Sequence, residues 1–147
     1  MCRLIITIDS REQAPWQFPP EYATTRRAAL KAGDYALHND AGFAIERKSL
    51  DDFVGTVGSG WDRFGRELDR TEGWPAKVVL VEGSMLSIMH HDYNHPEMPP
   101  AFVCKRIAQL TMQGVAVLFA DNSTIAAGMC WRILKEREKQ LEDLPGE

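Results

Sequence analysis

Glu46-Arg47-Lys48 sets a carboxylate and an ammonium two residues apart, with Gly33-Asp34 upstream and Asp52 shortly downstream. In an extended strand side chains alternate with period two, so Glu46 and Lys48 share one face and Arg47 takes the other. A second acid beside them would suit one reaction in particular, hydrolysis of a phosphodiester by a bound divalent metal. The acids hold the ion, the ion polarises a phosphate oxygen and a water, and the lysine offsets the charge that develops. Taken alone, Glu46 and Lys48 are better read as cross-strand surface charges.

Whether Asp34 joins them depends on the turn between two strand-like segments, Tyr35 to His38 and Phe43 to Lys48. Asn39-Asp40-Ala41-Gly42 suits a type I turn closed by a left-handed glycine, the three-residue loop with a bulge. That turn sets Asn39 opposite Phe43, Ala36 opposite Glu46 and Asp34 opposite Lys48. Residues directly opposite share a face, so Asp34, Glu46 and Lys48 converge. A two-residue loop would send Asp34 to the other side.

The remaining elements must hold this hairpin. Leu4 to Ile8 is a β-branched apolar run ending in Asp9, a buried strand; a proline-rich loop and a short strand from Ala23 to Arg27 follow. Ser49 is placed to cap a helix whose Leu50, Phe53, Val54 and Val57 form an apolar stripe. After Gly58-Ser59-Gly60, a helix from Trp61 to about Arg70 buries Trp61, Phe64 and Leu68 and turns Arg63, Arg66 and Arg70 outward. Lys77 to Val81 and Val115 to Phe119 read as further strands. Helices are expected over about Pro99 to Met112 and Ser123 to Leu141, the latter with Ile125, Met129 and Ile133 at core spacing. Strands interspersed with helices around an antiparallel hairpin predict an α/β fold, a mixed sheet flanked by helices.

A chain of 147 residues is long enough for one domain, here 1–147, with a flexible tail expected from about residue 142. No apolar run reaches the ~20 residues of a membrane span. Cys2, Cys104 and Cys130 are too few and scattered for a disulfide framework and fit a reducing, intracellular setting, cytoplasmic or nucleoid-associated. The net charge of -4 argues against binding nucleic acid through bulk attraction alone. It leaves room for a local basic face and metal ions that offset the protein's own carboxylates.

Together, Gly33-Asp34, Glu46-Arg47-Lys48 and Asp52 at these spacings resemble the signature of the XPF family of structure-specific endonucleases, within the PD-(D/E)XK nuclease superfamily. Ile8-Asp9-Ser10-Arg11-Glu12 resembles that family's first acidic strand end, and Arg63-Phe64 with Glu67 resembles the helix after its motif. The likeness runs from about residue 4 to 135 and implies a restriction-endonuclease-like fold. It implies that Asp34 and Glu46 ligate the metal, with the backbone carbonyl of Arg47, and that Lys48 orients water and stabilises the pentavalent phosphate. Asp9 would be an accessory acid, and Asp52 would support the site from the first helical turn. Arg11 and Arg47 would contact DNA or brace the acids, and Arg63 would contact DNA. All-oxygen ligation suits magnesium or manganese.

The resemblance implies a metal-dependent endonuclease acting on branched, flap or nicked DNA in repair or recombination, paired as a homodimer or heterodimer. A non-catalytic DNA-binding or scaffolding subunit of a nuclease heterodimer is the alternative, and a restriction or junction-resolving nuclease a third reading. The chain has no room for the tandem helix-hairpin-helix or helicase domains that many members carry. Several residues keep a plain competitor. Ser49 and Asp52 resemble a capping box, and Asp9 with Ser10 could form a turn. Asp62 and Glu67 lie four residues from Arg66 and Arg63 on this helix, so a solvated, salt-bridged face is the default for Arg66 and Arg70. The stripe at Ile125, Met129 and Ile133 is either core or part of a dimer interface. His90 to His95 lacks zinc-site spacing and reads as a loop over the DNA path.

Overall fold

The computed structural model describes residues 3–144. The strands are β1 (Leu4–Asp9), β2 (Ala23–Ala28), β3 (Tyr35–Leu37), β4 (Ile45–Ser49), β5 (Lys77–Glu82) and β6 (Val115–Ala120). The helices are α1 (Leu50–Val57), α2 (Trp61–Asp69), α3 (Met85–Met89), α4 (Pro100–Met112) and α5 (Ser123–Glu142). The strands form a six-stranded sheet in the order β2-β1-β3-β4-β5-β6. Only β3 runs against its neighbours, β1 and β4; every other pairing is parallel. The expected α/β fold, a mixed sheet with an antiparallel hairpin flanked by helices, is the one observed.

Period-two alternation divides the core. Leu80 faces a cluster with Leu4, Ile6, Ile45, Cys130 and Leu134, which α5 covers. Val79 and Val81 face the other side, against Phe53 and Val54 of α1, Phe64 of α2 and Leu110 of α4. Since β4 pairs in parallel register with β5, Glu46 lies beside Val79 and Lys48 beside Val81. Both therefore belong to the α1/α2/α4 face, and Arg47, beside Leu80, to the α5 face.

The hairpin register differs from the expected one. Tyr35 pairs with Ile45, which sets Asp34 opposite Glu46 rather than Lys48. The difference is two residues, so the parity holds and Asp34 still shares a face with Glu46 and Lys48. The reason lies in the turn. Gly42 is not among the left-handed glycines. Its amide instead donates to Asp40 Oδ1 at 2.9 Å, and Arg137 of α5 grips the same carboxylate with Nε to Oδ2 at 2.7 Å. A tertiary ion pair thus replaces the bulged turn with a longer, pinned loop.

Two further expectations change. The buried stripe of α5 is Ala126, Ala127, Cys130 and Leu134, one position on from the stripe expected, and Ile125 and Met129 are exposed at 50% and 38%. Small Ala126 and Ala127 let the helix sit close to the sheet, which larger side chains there would prevent. A short helix, α3, also emerges from the segment taken as loop, with the Ser84 hydroxyl accepting from the Ser87 amide at 3.0 Å. The expected tail begins inside α5, which runs to Glu142, and Pro145 to Glu147 lie outside the described residues. Among the described residues no helix is long and apolar enough to cross a membrane.

Candidate active site

Gly33 sets up the first acid. Its φ of +77° is left-handed, and a Cβ there would meet the Ala44 Cβ at 2.5 Å. Only glycine both adopts that backbone and lets the chain pass so close to the other arm of the hairpin. The next residue, Asp34, is then held by backbone on both sides. Its amide donates to the Ile45 carbonyl at 2.9 Å, and its carbonyl accepts from the Asp9 amide at 2.8 Å. Its side-chain Oδ2 accepts the Arg47 amide at 2.8 Å.

Glu46 stands opposite, half-buried, with Lys48 Nζ 3.5 Å from Oε1. Burial, and then the charge of Glu46, push the Asp34 carboxyl up to about 7. Burial raises Glu46 as well; Lys48 opposes that, and the charge of Glu67 on α2 adds to it. Two acids that resist ionising side by side are short of a positive charge, which a divalent cation would supply.

No three His, Cys, Asp or Glu side chains among the described residues converge into a metal cage. The donor set nevertheless fits magnesium or manganese, which bind through one or two carboxylates and complete their shell with water and substrate phosphate. Asp34 and Glu46 are two carboxylates on one face that could fill that part.

Asp9 ends β1 on the same face and is only 2% exposed. Burial would raise its pKa, but Arg11, the Leu30 amide and the Arg11 charge outweigh it and hold the carboxyl below its ordinary value. Arg11 Nε lies 2.8 Å from Asp9 Oδ2, and its side chain is 74% exposed. Arg11 therefore braces an acid while its outer surface stays free. The Leu30 amide on Asp9 Oδ1, at 2.9 Å, gives Asp9 a structural task beyond a local turn.

Arg47 braces too, on the opposite face. Its guanidinium meets Glu82 at 2.5 Å, Glu12 at 3.0 Å and the Ala14 carbonyl at 2.8 Å. It also lies 4.8 Å from the Trp16 ring centroid. The Tyr35 hydroxyl joins this network, donating to Glu12 at 2.9 Å and accepting from the Trp16 amide at 2.8 Å. The guanidinium of Arg47 thus braces Glu12 and Glu82, not Asp34 or Glu46. Glu12 and Glu82 come from loop and strand ends far apart in sequence, and nothing in their spacing marked them as its partners.

Two expected residues stand apart. Asp52 is exposed; its amide donates to Ser49 Oγ at 3.1 Å, and among the described residues its carboxylate has no partner. Arg63 is also exposed and does not line the cleft beside the acids. That cleft holds about 280 Å³ and is lined by Asp9, Asp34 and Glu46 together with Glu67 and Arg70 of α2. Leu68, on the same helix face as Phe64 as expected, and Glu67, three residues beyond Phe64, both reach the cleft. The salt bridges expected for Arg66 and Arg70 do not form among the described residues, as suits exposed pairs whose attraction scarcely exceeds their entropy cost.

The loop after α3 is fastened to α1. Asn94 donates its amide to Asp51 Oδ1 at 2.7 Å, and His95 Nε2 lies 3.0 Å from the Asp51 carbonyl. His95 thus fastens the loop to α1, and His91 Nε2 lies 3.1 Å from the His95 carbonyl within it.

The family model described as the ERCC4 domain matches residues 8–129. The fold is similar to that of XPF from Aeropyrum pernix, with a TM-score of 0.70 at 17% identity, over 97% of this chain and 65% of that one. The chain thus spans about two thirds of the length of that structure. No curated protein matches the chain.

Proposed function

The chain belongs to the ERCC4 domain family, and from that premise we propose that it is a divalent-metal-dependent DNA endonuclease. The observation that carries this reading is the convergence of Asp34, Glu46 and Lys48 on one face of a hairpin, beside a cleft. On this reading the DNA is branched, flap or nicked, and its cleavage serves repair or recombination.

Asp34 and Glu46 would hold magnesium or manganese, with the Arg47 carbonyl as a third oxygen ligand. When bound, the ion supplies Lewis acidity and lowers the pKa of water. The protein's own groups do the rest. The Arg47 amide on Asp34 Oδ2 fixes the direction of that carboxylate. Lys48, tethered to Glu46, brings a positive charge to the face on which the phosphate becomes more negative. Asp9, with Arg11, walls the cleft, and Arg11 reaches outward to a phosphate of the strand. Arg63 lies farther out and adds a backbone contact at most.

Like the dimeric proteins of its expected class, the chain would pair through α5, where Ile125 and Met129 are exposed on the flank away from the core. A second copy would double the DNA-contacting surface.

The test is a cleavage panel with purified protein, manganese and labelled flap, fork, nicked, junction and plain duplex DNA. Branched substrates should be cut, and Asp34→Ala and Glu46→Ala should each lower the rate by 100-fold or more, on the order of 3 kcal/mol. No cutting by the wild type, or equal cutting by both variants, would overturn the proposal. Loss of cutting with DNA binding and partner capture retained would instead mark a scaffolding subunit.

A further inference from the structure

The cleft beside the acids is only partly polar. Beyond Asp34 and Glu46 it is lined by Phe64 and Leu68 of α2 and by Trp74, which follows that helix. The turn that delivers Trp74 is built for the purpose. The Thr71 hydroxyl donates to the Leu68 carbonyl at 2.7 Å, Gly73 adopts a left-handed φ of +86°, and the Trp74 amide donates to the Thr71 carbonyl at 3.1 Å. The indole is half-buried and leans on Phe43, with ring centroids 6.2 Å apart. Its Nε1–H has no partner among the described residues. Around it, Lys31, Arg70 and Lys77 also line the cleft, and none has an ion-pair partner among the described residues.

A space of about 280 Å³ lies at the lower edge of ligand pockets. It is too small for a duplex, whose major groove alone is ~12 Å wide. It combines an aromatic side chain, a free N–H donor and unpaired cations next to carboxylates suited to a metal. Those are the requirements of one nucleotide, with its base stacked and its phosphate neutralised. We propose that the cleft receives the unstacked base of the nucleotide flanking the scissile phosphate, with Trp74 as the stacking platform. The inference rests on the nuclease reading above and deepens it by naming what that site recognises.

A preference for branched DNA follows. A base in intact duplex must be unpaired and unstacked before it enters, at a cost of a few kcal/mol, whereas a base at a branch or flap is already free. Lys31, Arg70 and Lys77 hold the backbone around it without reading sequence. Trp74 selects for an available base, whatever its identity, because every base has a π-face.

Two measurements test this. In the first, Asp34→Asn protein binds flap DNA carrying 2-aminopurine at the unpaired nucleotide beside the junction. Trp74 should quench the probe on binding, and adding Trp74→Ala should abolish the quench while anisotropy still reports binding. Trp74→Phe, which keeps a ring against Phe43, should retain a partial quench and guards against a variant that merely misfolds. An unchanged quench in Trp74→Ala, or no quench with Trp74 present, would overturn the proposal.

In the second, an abasic spacer replaces that nucleotide. Wild-type kcat/KM should fall roughly tenfold, in keeping with base–aromatic stacking, while Trp74→Ala should cut both substrates at one reduced rate. Equal cutting of both by the wild type would sink the base pocket and leave the nuclease reading standing. Absence of cutting by the wild type would sink the nuclease reading, and the fluorescence measurement would still decide the pocket.

Discussion

Asp34 carries an electrostatic penalty in the metal-free protein. Its folded carboxyl titrates near 7, pushed there by burial and by Glu46, whereas in the unfolded chain it ionises near 3.9. Between those values the folded state holds a proton that the unfolded state has lost, so stability falls as pH rises through that window. Asp34→Asn removes the charge and keeps an oxygen to accept the Arg47 amide. With a chelator present, calorimetry at pH 8 should show the variant more stable than wild type by on the order of 2 kcal/mol, the gain fading by about pH 4. Manganese should raise the wild-type Tm more at pH 8 than at pH 6, because the ion competes with the proton for Asp34. A variant no more stable than wild type at pH 8 would show that the two acids coexist without strain.

The hairpin of β3 and β4 is the element on which the site turns, and its tolerance at Gly33 is small. A side chain there meets both a left-handed backbone and the Ala44 Cβ at 2.5 Å. Gly33→Ala should therefore destabilise the protein by about 1–3 kcal/mol in urea titrations. Because the hairpin arms must part to admit the methyl group, metal-dependent cleavage should fall further than the lost stability explains. At the same scale, the Asp40–Arg137 pair ties the hairpin loop to α5, so site register and the α5 face of the core depend on each other. Retention of full activity in folded Gly33→Ala protein would show that the site does not need this close approach.

At the scale of the whole molecule, the sheet separates two tasks. The α5 side carries a core and the Arg47 network, while the α1/α2/α4 side carries a second core whose edge opens into the cleft. On the proposed reading the exposed flank of α5 serves for pairing. Sedimentation should give twice the 16.6 kDa of one chain, and Ile125→Glu with Met129→Glu should return it to one chain without loss of helix content. A wild-type protein that sediments as a single chain at tens of micromolar would remove this flank from consideration as the interface.

Much of this was legible in the residues, because it depended on local periodicity. Strand alternation alone put Glu46 and Lys48 together and Arg47 opposite them, and Ser49 announced the start of α1 through its cap. The parity that brings Asp34 to the same face was also legible, though the register was not. An ion pair between Asp40 and Arg137, 97 residues apart, overrode the turn that the local sequence favours. The same limit explains the other differences. The face of α5 that packs inward was chosen by how closely Ala126 and Ala127 can approach the sheet, and not by which residues are largest. Glu12 and Glu82 at Arg47, and Glu67 and Trp74 at the cleft, come from separate segments. Chemistry that needs neighbours along one strand is written in the sequence itself; chemistry that needs neighbours across the sheet exists only once packing has paid the entropy of bringing them together.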